Sequence, residues 1–204
     1  MLRRIQTLYK MESSQEKLQV WLDCDPGLDD IMAIILAACD ERINLLGVST
    51  SPGNSTLDNT TRNALDVLDI IGRADVPVIM GSPKPFSTTI VYGGHMHGDN
   101  GLGGLEIPHT TKKSISEDRF SVIYKLIMQS PSKVAFVNTG SLTNLAILLA
   151  SHPDLKDKLS EISIMGGAIG EGNITPAAEF NIFFDAVAAQ ECLSYGIPFT
   201  MVPL

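Results

Sequence analysis

Four aspartates fall within eight residues in the stretch Asp23-Cys-Asp-Pro-Gly-Leu-Asp-Asp30, directly after one apolar run and directly before another. Two carboxylates about 4 Å apart repel by roughly 4 kcal/mol at an effective dielectric near 20. A cluster this dense beside buried elements needs a proton, a shell of hydrogen-bond donors, or a cation. Helix capping accounts for one or two of the four, Asp29 and Asp30, because carboxylates there meet free amides and the helix dipole. It does not account for Asp23 and Asp25, which alternate onto one face of a strand before the Pro26-Gly27 turn. A cation accounts for the whole cluster. Several carboxylates with a neutral carbonyl suit Ca²⁺, which takes about 6–8 oxygen ligands in flexible geometry. Mg²⁺ prefers fewer carboxylates, more waters and usually a phosphate.

The elements that position this cluster follow from the apolar pattern. Residues 18–23 read as a strand and 29–39 as a helix; 43–50 as a strand and 57–71 as a helix, with Leu57, Ala64, Leu65, Leu68 and Ile71 on one face. A third strand, 76–81, leads into a long glycine-rich loop, 82–113. Ser114 and Glu117 fit a capping box for a helix running to about Gln129. Then come a strand at 133–140, a helix at 141–151, a strand at 161–167, a helix at 185–195 and a strand at 198–204. Continuous apolar strands alternating with helices predict a doubly wound, mostly parallel α/β sheet with helices on both faces. In such sheets the ligand crevice lies at the carboxyl ends of the strands. Polar and glycine residues concentrate after the strands, at one end of the sheet: Asp23 to Asp30, then Asn54, then Gly93 to Gly101, then Thr139 to Asn144, then Met165 to Asn181.

Composition narrows the classes. A chain of 204 residues with 44 % hydrophobic and 19 % charged residues fits a soluble globular domain. A net charge of −8 argues against a nucleic-acid binder, which needs a basic face. The apolar run from Ile31 to Cys39 is too short to span a bilayer, so no membrane partner is expected. Cys24, Cys39 and Cys192 form no C-x-x-C pattern and read as reduced buried thiols of a cytoplasmic protein. The basic start, Met1 to Lys10, reads as part of a flexible extension over 1–17, with Met11 as an alternative start. His95 and His97 lack a third nitrogen or sulfur ligand, which argues against zinc. His109 and His152 read as surface or cap residues.

With these residues in view, the chain resembles the nucleoside N-ribohydrolases of the inosine–uridine-preferring type. The resemblance rests on Asp23 to Asp30, Gly53-Asn54, Gly94 to Gly98, Thr139 to Asn144, Met165 to Gly167, Glu171 to Asn173 and Ala178 to Asn181, in order, from about residue 18 to the end. It implies an α/β fold, a bound calcium ion, and cleavage of ribonucleosides such as inosine or uridine to ribose and free base. It also implies roles. Asp25, Asp30 and the carbonyl of Thr139 would hold calcium, and Asp25 would be the general base on a calcium-bound water. Asp29, Asn54, Asn173, Glu179 and Asn181 would hold the ribose, Met165 would line the sugar pocket and His97 would face the base. Asp23 would support the site from behind. That chemistry fits the residue types: breaking an N-glycosidic bond builds positive charge on the sugar, which carboxylates and amide oxygens stabilise. A homo-oligomer, dimer or tetramer, is implied as well.

One departure stands out. The family pattern places a further aspartate and a histidine just after Thr200 to Leu204, and the chain ends there. The expectation is therefore a nucleoside hydrolase domain over 18–204, incomplete at its C-terminus and weakly active or inactive alone. Two other readings remain: a non-catalytic relative that binds ribosides or associates with other subunits, and a haloacid-dehalogenase-like phosphatase. The second needs a small or β-branched residue where Pro26-Gly27 stand, and a later lysine and acidic pair.

Overall fold

The computed structural model describes residues 16–86 and 90–204. Most of the expected N-terminal extension and the side chain of His95 lie outside the described residues. The strands are β1 (Leu18–Cys24), β2 (Ile43–Thr50), β3 (Val78–Met80), β4 (Val134–Asn138), β5 (Leu159–Met165) and β6 (Phe199–Val202). Between and around them lie α1 (Leu28–Cys39), α2 (Leu57–Ile70), α3 (Gly94–His97), α4 (Arg119–Met128), α5 (Thr143–Ser151), α6 (Leu155–Lys158), α7 (Phe180–Phe184) and α8 (Ala186–Ser194). The strands form one six-stranded sheet in the order β3-β2-β1-β4-β5-β6, parallel throughout. This is the doubly wound α/β arrangement that the alternating pattern predicts.

Each central strand divides its side chains between two cores, because successive residues point to opposite faces. From β1, Val20, Leu22 and Cys24 pack with Ile34 of α1 and with Ala64 and Leu68 of α2. Trp21 points the other way, into the core formed with Ile127 of α4 and Leu145 and Leu148 of α5. In β4, Phe136 joins the Trp21 side and Ala135 the opposite one. Burial on both faces is what makes these strands read as unbroken apolar runs.

Trp21 fixes the register of β1 against β2. The pairing slips between Val20 and Trp21, so that Trp21 faces Gly47. A Cβ on Gly47 would sit 2.7 Å from the indole ring. The ring nitrogen donates to Ser49 Oγ at 2.9 Å. A large ring is thus seated over a residue without a side chain, and the strand ends beyond it are set by that fit.

Three expectations need correction. The capping box at Ser114 and Glu117 does not form: Ile115 instead makes a parallel bridge to Ile79 at the edge of β3. The helix starts at Arg119, and Asp118 takes the N-cap position with a left-handed φ of 46°. Near residue 180 the chain turns helical earlier than the expected 185, in α7. Cys39 is exposed, whereas Cys24 and Cys192 are buried. His109 is exposed, as expected of a surface residue, and its Nδ1 lies 2.7 Å from the fully buried carboxylate of Asp66 on α2; His152 caps α5 as expected and stacks on Tyr124. Among the described residues no helix is long and apolar enough to cross a membrane.

The Trp21–Gly47 contact generates a first prediction. Gly47→Ala forces the indole or the strand to move, and overpacking of this kind costs about 1–3 kcal/mol. The urea midpoint should fall accordingly; an unchanged midpoint would show that the register does not depend on this seat.

Candidate functional site

The chain leaves β1 and winds outward through β2 and β3, then crosses back to β4 and winds the other way through β5 and β6. The loops that follow β1 and β4 therefore part at the carboxyl ends of neighbouring strands and leave a crevice between them. Asp25 to Asp30 leave β1 there, and Thr139 leaves β4 there. The two exits are tied together: Thr139 N donates to Asp23 O at 2.9 Å and the Thr139 hydroxyl donates to Asp30 Oδ1 at 2.5 Å.

Three of the four aspartates are buried at this point: Asp23, Asp25 and Asp30. Asp23 is fully enclosed. Its carboxylate accepts from Ser49 Oγ, from Asn144 Nδ2 at 2.9 Å and from Asn138 Nδ2 at 3.2 Å. Asp30 accepts from Gly27 N at 3.0 Å and Asn54 Nδ2 at 3.0 Å, besides Thr139. Asp25 Oδ2 accepts from Asn54 N at 2.7 Å, but Asp25 Oδ1 is buried with no hydrogen-bond partner. Neither Lys nor Arg pairs with any of the three among the described residues. Burial, opposed by the hydroxyl and amide donors, pushes Asp23 up to about 7 and Asp30 up to about 6. Asp25 is pushed well above the usual carboxylate range by burial and by the neighbouring charge of Asp30.

These observations bear on whether a cation fits. Among the described residues no group of three or more His, Cys, Asp or Glu side chains converges on a metal position. The available donors are two carboxylates, Asp25 and Asp30, and the carbonyl of Thr139. An all-oxygen set of this kind suits a hard divalent cation. The unpartnered Asp25 oxygen supplies an open position, and a cation there would favour the ionised forms that burial disfavours. The residues present therefore fit the group.

Above this cluster lies a cleft that gathers the other predicted positions. Asp29, Asn54, His97, Thr139, Met165, Asn173, Glu179 and Asn181 all line it. Asp29 is exposed, and His97 Nδ1 stands 3.9 Å from its Oδ1. Several of these residues also hold backbone. Glu179 caps α7, its carboxylate accepting from Asn181 N and Ile182 N, and takes Gly167 N at 3.1 Å. Asn173 Oδ1 accepts from Phe180 N at 2.8 Å. Asn181 sits in the first turn of α7 and donates to the Thr139 carbonyl at 2.9 Å and to Met165 O at 3.1 Å. The expectation that Asn181 stands outside a helix is thus corrected, while its amide still touches the carbonyl that the resemblance assigns to calcium.

The cleft also has walls that sequence reasoning did not single out: Met96, Ile174 and Phe180. Each is adjacent to a residue that was singled out (His97, Asn173, and both Glu179 and Asn181), so proximity to the polar motifs was the available signal. Asn144 had a signal too, as the last residue of the Thr139 to Asn144 motif. It reaches Asp23, donates to Thr50 O at 3.1 Å and accepts from Ser82 N at 2.8 Å, so it joins the exits of β1, β2 and β3.

A sequence model of the family described as inosine-uridine preferring nucleoside hydrolase matches residues 20–204. The chain is 45% identical over 183 residues to the pyrimidine-specific ribonucleoside hydrolase RihA of Shewanella woodyi, covering 90% of this chain and 59% of that protein. It superposes with a TM-score of 0.86 on the purine-preferring ribonucleoside hydrolase from Gardnerella vaginalis, at 32% identity and over 91% of this chain and 60% of that one. A plant nucleoside hydrolase superposes with a TM-score of 0.84, again at 32% identity, over 92% and 60%. The chain thus spans less than two thirds of the length of each of these relatives. No phosphatase nucleophile fits at Asp23, whose carboxylate is sealed from the cleft and hydrogen-bonded on both oxygens. The family match over residues 20–204 and the relatives lead to one conclusion: the chain belongs to the inosine-uridine preferring nucleoside hydrolase family.

Proposed function

We propose that these residues form the sugar- and metal-holding part of a calcium-dependent nucleoside hydrolase site, which cleaves the N-glycosidic bond of ribonucleosides to ribose and free base. The observation that carries the reading is the buried, unpartnered Oδ1 of Asp25 beneath a cleft lined by seven polar or sulfur-bearing positions that the resemblance assigns to ribose and base. Asp25, Asp30 and the Thr139 carbonyl would hold calcium. When bound, the ion would supply Lewis acidity and a fixed positive charge for the sugar's vicinal hydroxyls.

The chain's own residues would do the rest. Asp25 takes the proton from the attacking water as general base. Asp29, Asn54, Asn173, Glu179 and Asn181 accept from and donate to the ribose hydroxyls, and the carboxylates among them stabilise the oxocarbenium-like charge. Met165 packs under the sugar. His97 faces the base, with Met96, Ile174 and Phe180 as the apolar surface against it. Uridine and cytidine come ahead of inosine as substrates, supported by the name of the 45% identical relative. In this reading the protein acts in the cytoplasm as a homo-oligomer, a dimer or tetramer.

Two measurements test the proposal. Ribose release from uridine, cytidine and inosine should fall by about 10²–10⁴-fold in Asp25→Asn, the range for loss of a general base. Turnover that survives this substitution would remove Asp25 from the chemistry. The second test uses the buried charges. Folded-state values near 7 for Asp23 and near 6 for Asp30 lie above the ordinary 3.8. Folding then favours the protonated forms, so this part of the stability is full below about pH 4 and is lost as pH rises through about 6 to 7. Chelator-treated protein should unfold at lower urea at about pH 8 than at about pH 5. Calcium should restore more stability at the higher pH, because it binds the ionised carboxylates. Equal midpoints at both pH values, with no response to calcium, would count against a cation in this cluster.

A further inference from the structure

A second unpartnered polar atom lies beside the first. Ser51, in the loop that leaves β2, is 1 % exposed, and its Oγ has no hydrogen-bond partner. Its backbone is committed on both sides: Ser51 N donates to Cys24 O at 3.0 Å, and Ser51 O accepts from the Thr60 hydroxyl at 2.9 Å. The side chain is left to point into the niche below the cleft. Gly140 shows what shares that niche. A Cβ added to Gly140 would stand 2.8 Å from Asp25 Oδ1 and 2.9 Å from Ser51 Oγ. Two buried oxygens without partners, one a carboxylate acceptor and one a hydroxyl that can donate, therefore face the same small space. A glycine keeps that space open.

A buried hydroxyl without a partner is uncommon and calls for a physical reason. Ser51 does not line the cleft, so contact with the sugar does not supply one. The nearby acceptor without a donor is Asp25 Oδ1. A carboxylate oxygen has two lone-pair directions; a cation uses one and leaves the other for a donor. We infer that Ser51 is a positioning residue for Asp25, its side chain turning about χ1 to bring Oγ within donating distance of Oδ1 and fixing that oxygen for the cation and for proton transfer. The inference rests on the functional reading above and adds a residue to it. It also explains why residue 140 carries no side chain: any Cβ would press on both oxygens.

Partners of this kind behind a metal ligand change metal affinity or activity by about 10–100-fold when removed. The test is calorimetric titration of Ca²⁺ into the wild type, Ser51→Ala and Ser51→Thr, together with kcat and KM for ribose release and the melting temperature in chelator. In Ser51→Ala the calcium Kd should rise about tenfold, or kcat fall by as much, with KM for the nucleoside unchanged. Its melting temperature in chelator should not drop, because the alanine removes a hydroxyl that has no partner there. Ser51→Thr, which keeps the hydroxyl, should stay near wild type. Gly140→Ala, which crowds the same oxygens without touching either side chain's chemistry, should reproduce the loss. A serine that only supports the fold would lower the melting temperature in chelator and leave Kd and the kcat-to-KM split alone, and that result overturns the inference. Wild-type affinity and turnover in Ser51→Ala also overturn it and leave the functional reading intact. A wild-type chain that neither takes up calcium nor releases ribose brings down both.

Discussion

Three carboxylates sit out of water at the end of the central strand with no lysine or arginine beside them, and the surrounding structure is arranged to tolerate that. Neutral donors do most of the work. Asp23 is held by Ser49 from β2, Asn138 from β4 and Asn144 from α5. Asp30 is held by Gly27, Asn54 and Thr139. The donors come from the ends and exits of β1, β2 and β4 and from α5, so the heights of the strand ends and the positions of the carboxylates are a single problem. The one oxygen left over, on Asp25, lies where the exits of β1, β2 and β4 meet. Dipoles offset burial in part only, as the raised values of Asp23 and Asp30 indicate; a full positive charge is the remaining way to favour ionised carboxylates there.

Several residues around the cleft hold the scaffold and face the cleft at once. Glu179 caps a helix and fixes Gly167. Asn173 ties its loop to the start of α7. Asn54 cross-links Asp25 and Asp30 through both its backbone and its side chain. Such double use limits what loss of activity in a variant can mean, because removing the side chain also frees a loop or strips a helix of its cap. It also has a benefit for binding. A carboxylate or amide whose rotamer is already fixed by backbone hydrogen bonds loses little freedom when a ligand arrives.

The sheet was legible because its signal is local and redundant. Continuous apolar runs near residues 18, 43, 134 and 161 recur between helical patterns, and all of them are strands. The acidic cluster was legible for a different reason, since four carboxylates in eight residues have few explanations. What failed to show was anything decided by partners far along the chain. Ser114 and Glu117 have the residue types of a capping box, but an edge strand needing a partner claims Ile115 first. Asn181 reads as a residue before a helix until Glu179 is seen to cap one. Ser49, Ser51 and Asn138 are ordinary polar residues in sequence. Their importance comes from a buried carboxylate that the fold brings to them.

The topology also sorts the site into a firm part and an adaptable part. Asp25 and Thr139 each lie one residue beyond a strand, so their placement follows from the parallel ladder between β1 and β4. Asp30 is on the first turn of α1, anchored by the same exit. His97 and Met96 belong to a four-residue helix in a long connection, and Asn173 and Ile174 to the connection after β5. Strand exits vary little in position, whereas connections of this length tolerate substitution and insertion. The carboxylates and the carbonyl that suit a cation are therefore held by the part of the fold that cannot shift without breaking the sheet. The apolar wall of Met96, Ile174 and Phe180 stands outside the sheet, in the connections and at the start of α7. Under the proposed function, a fold divided in this way would keep one sugar chemistry fixed and still vary which base it admits.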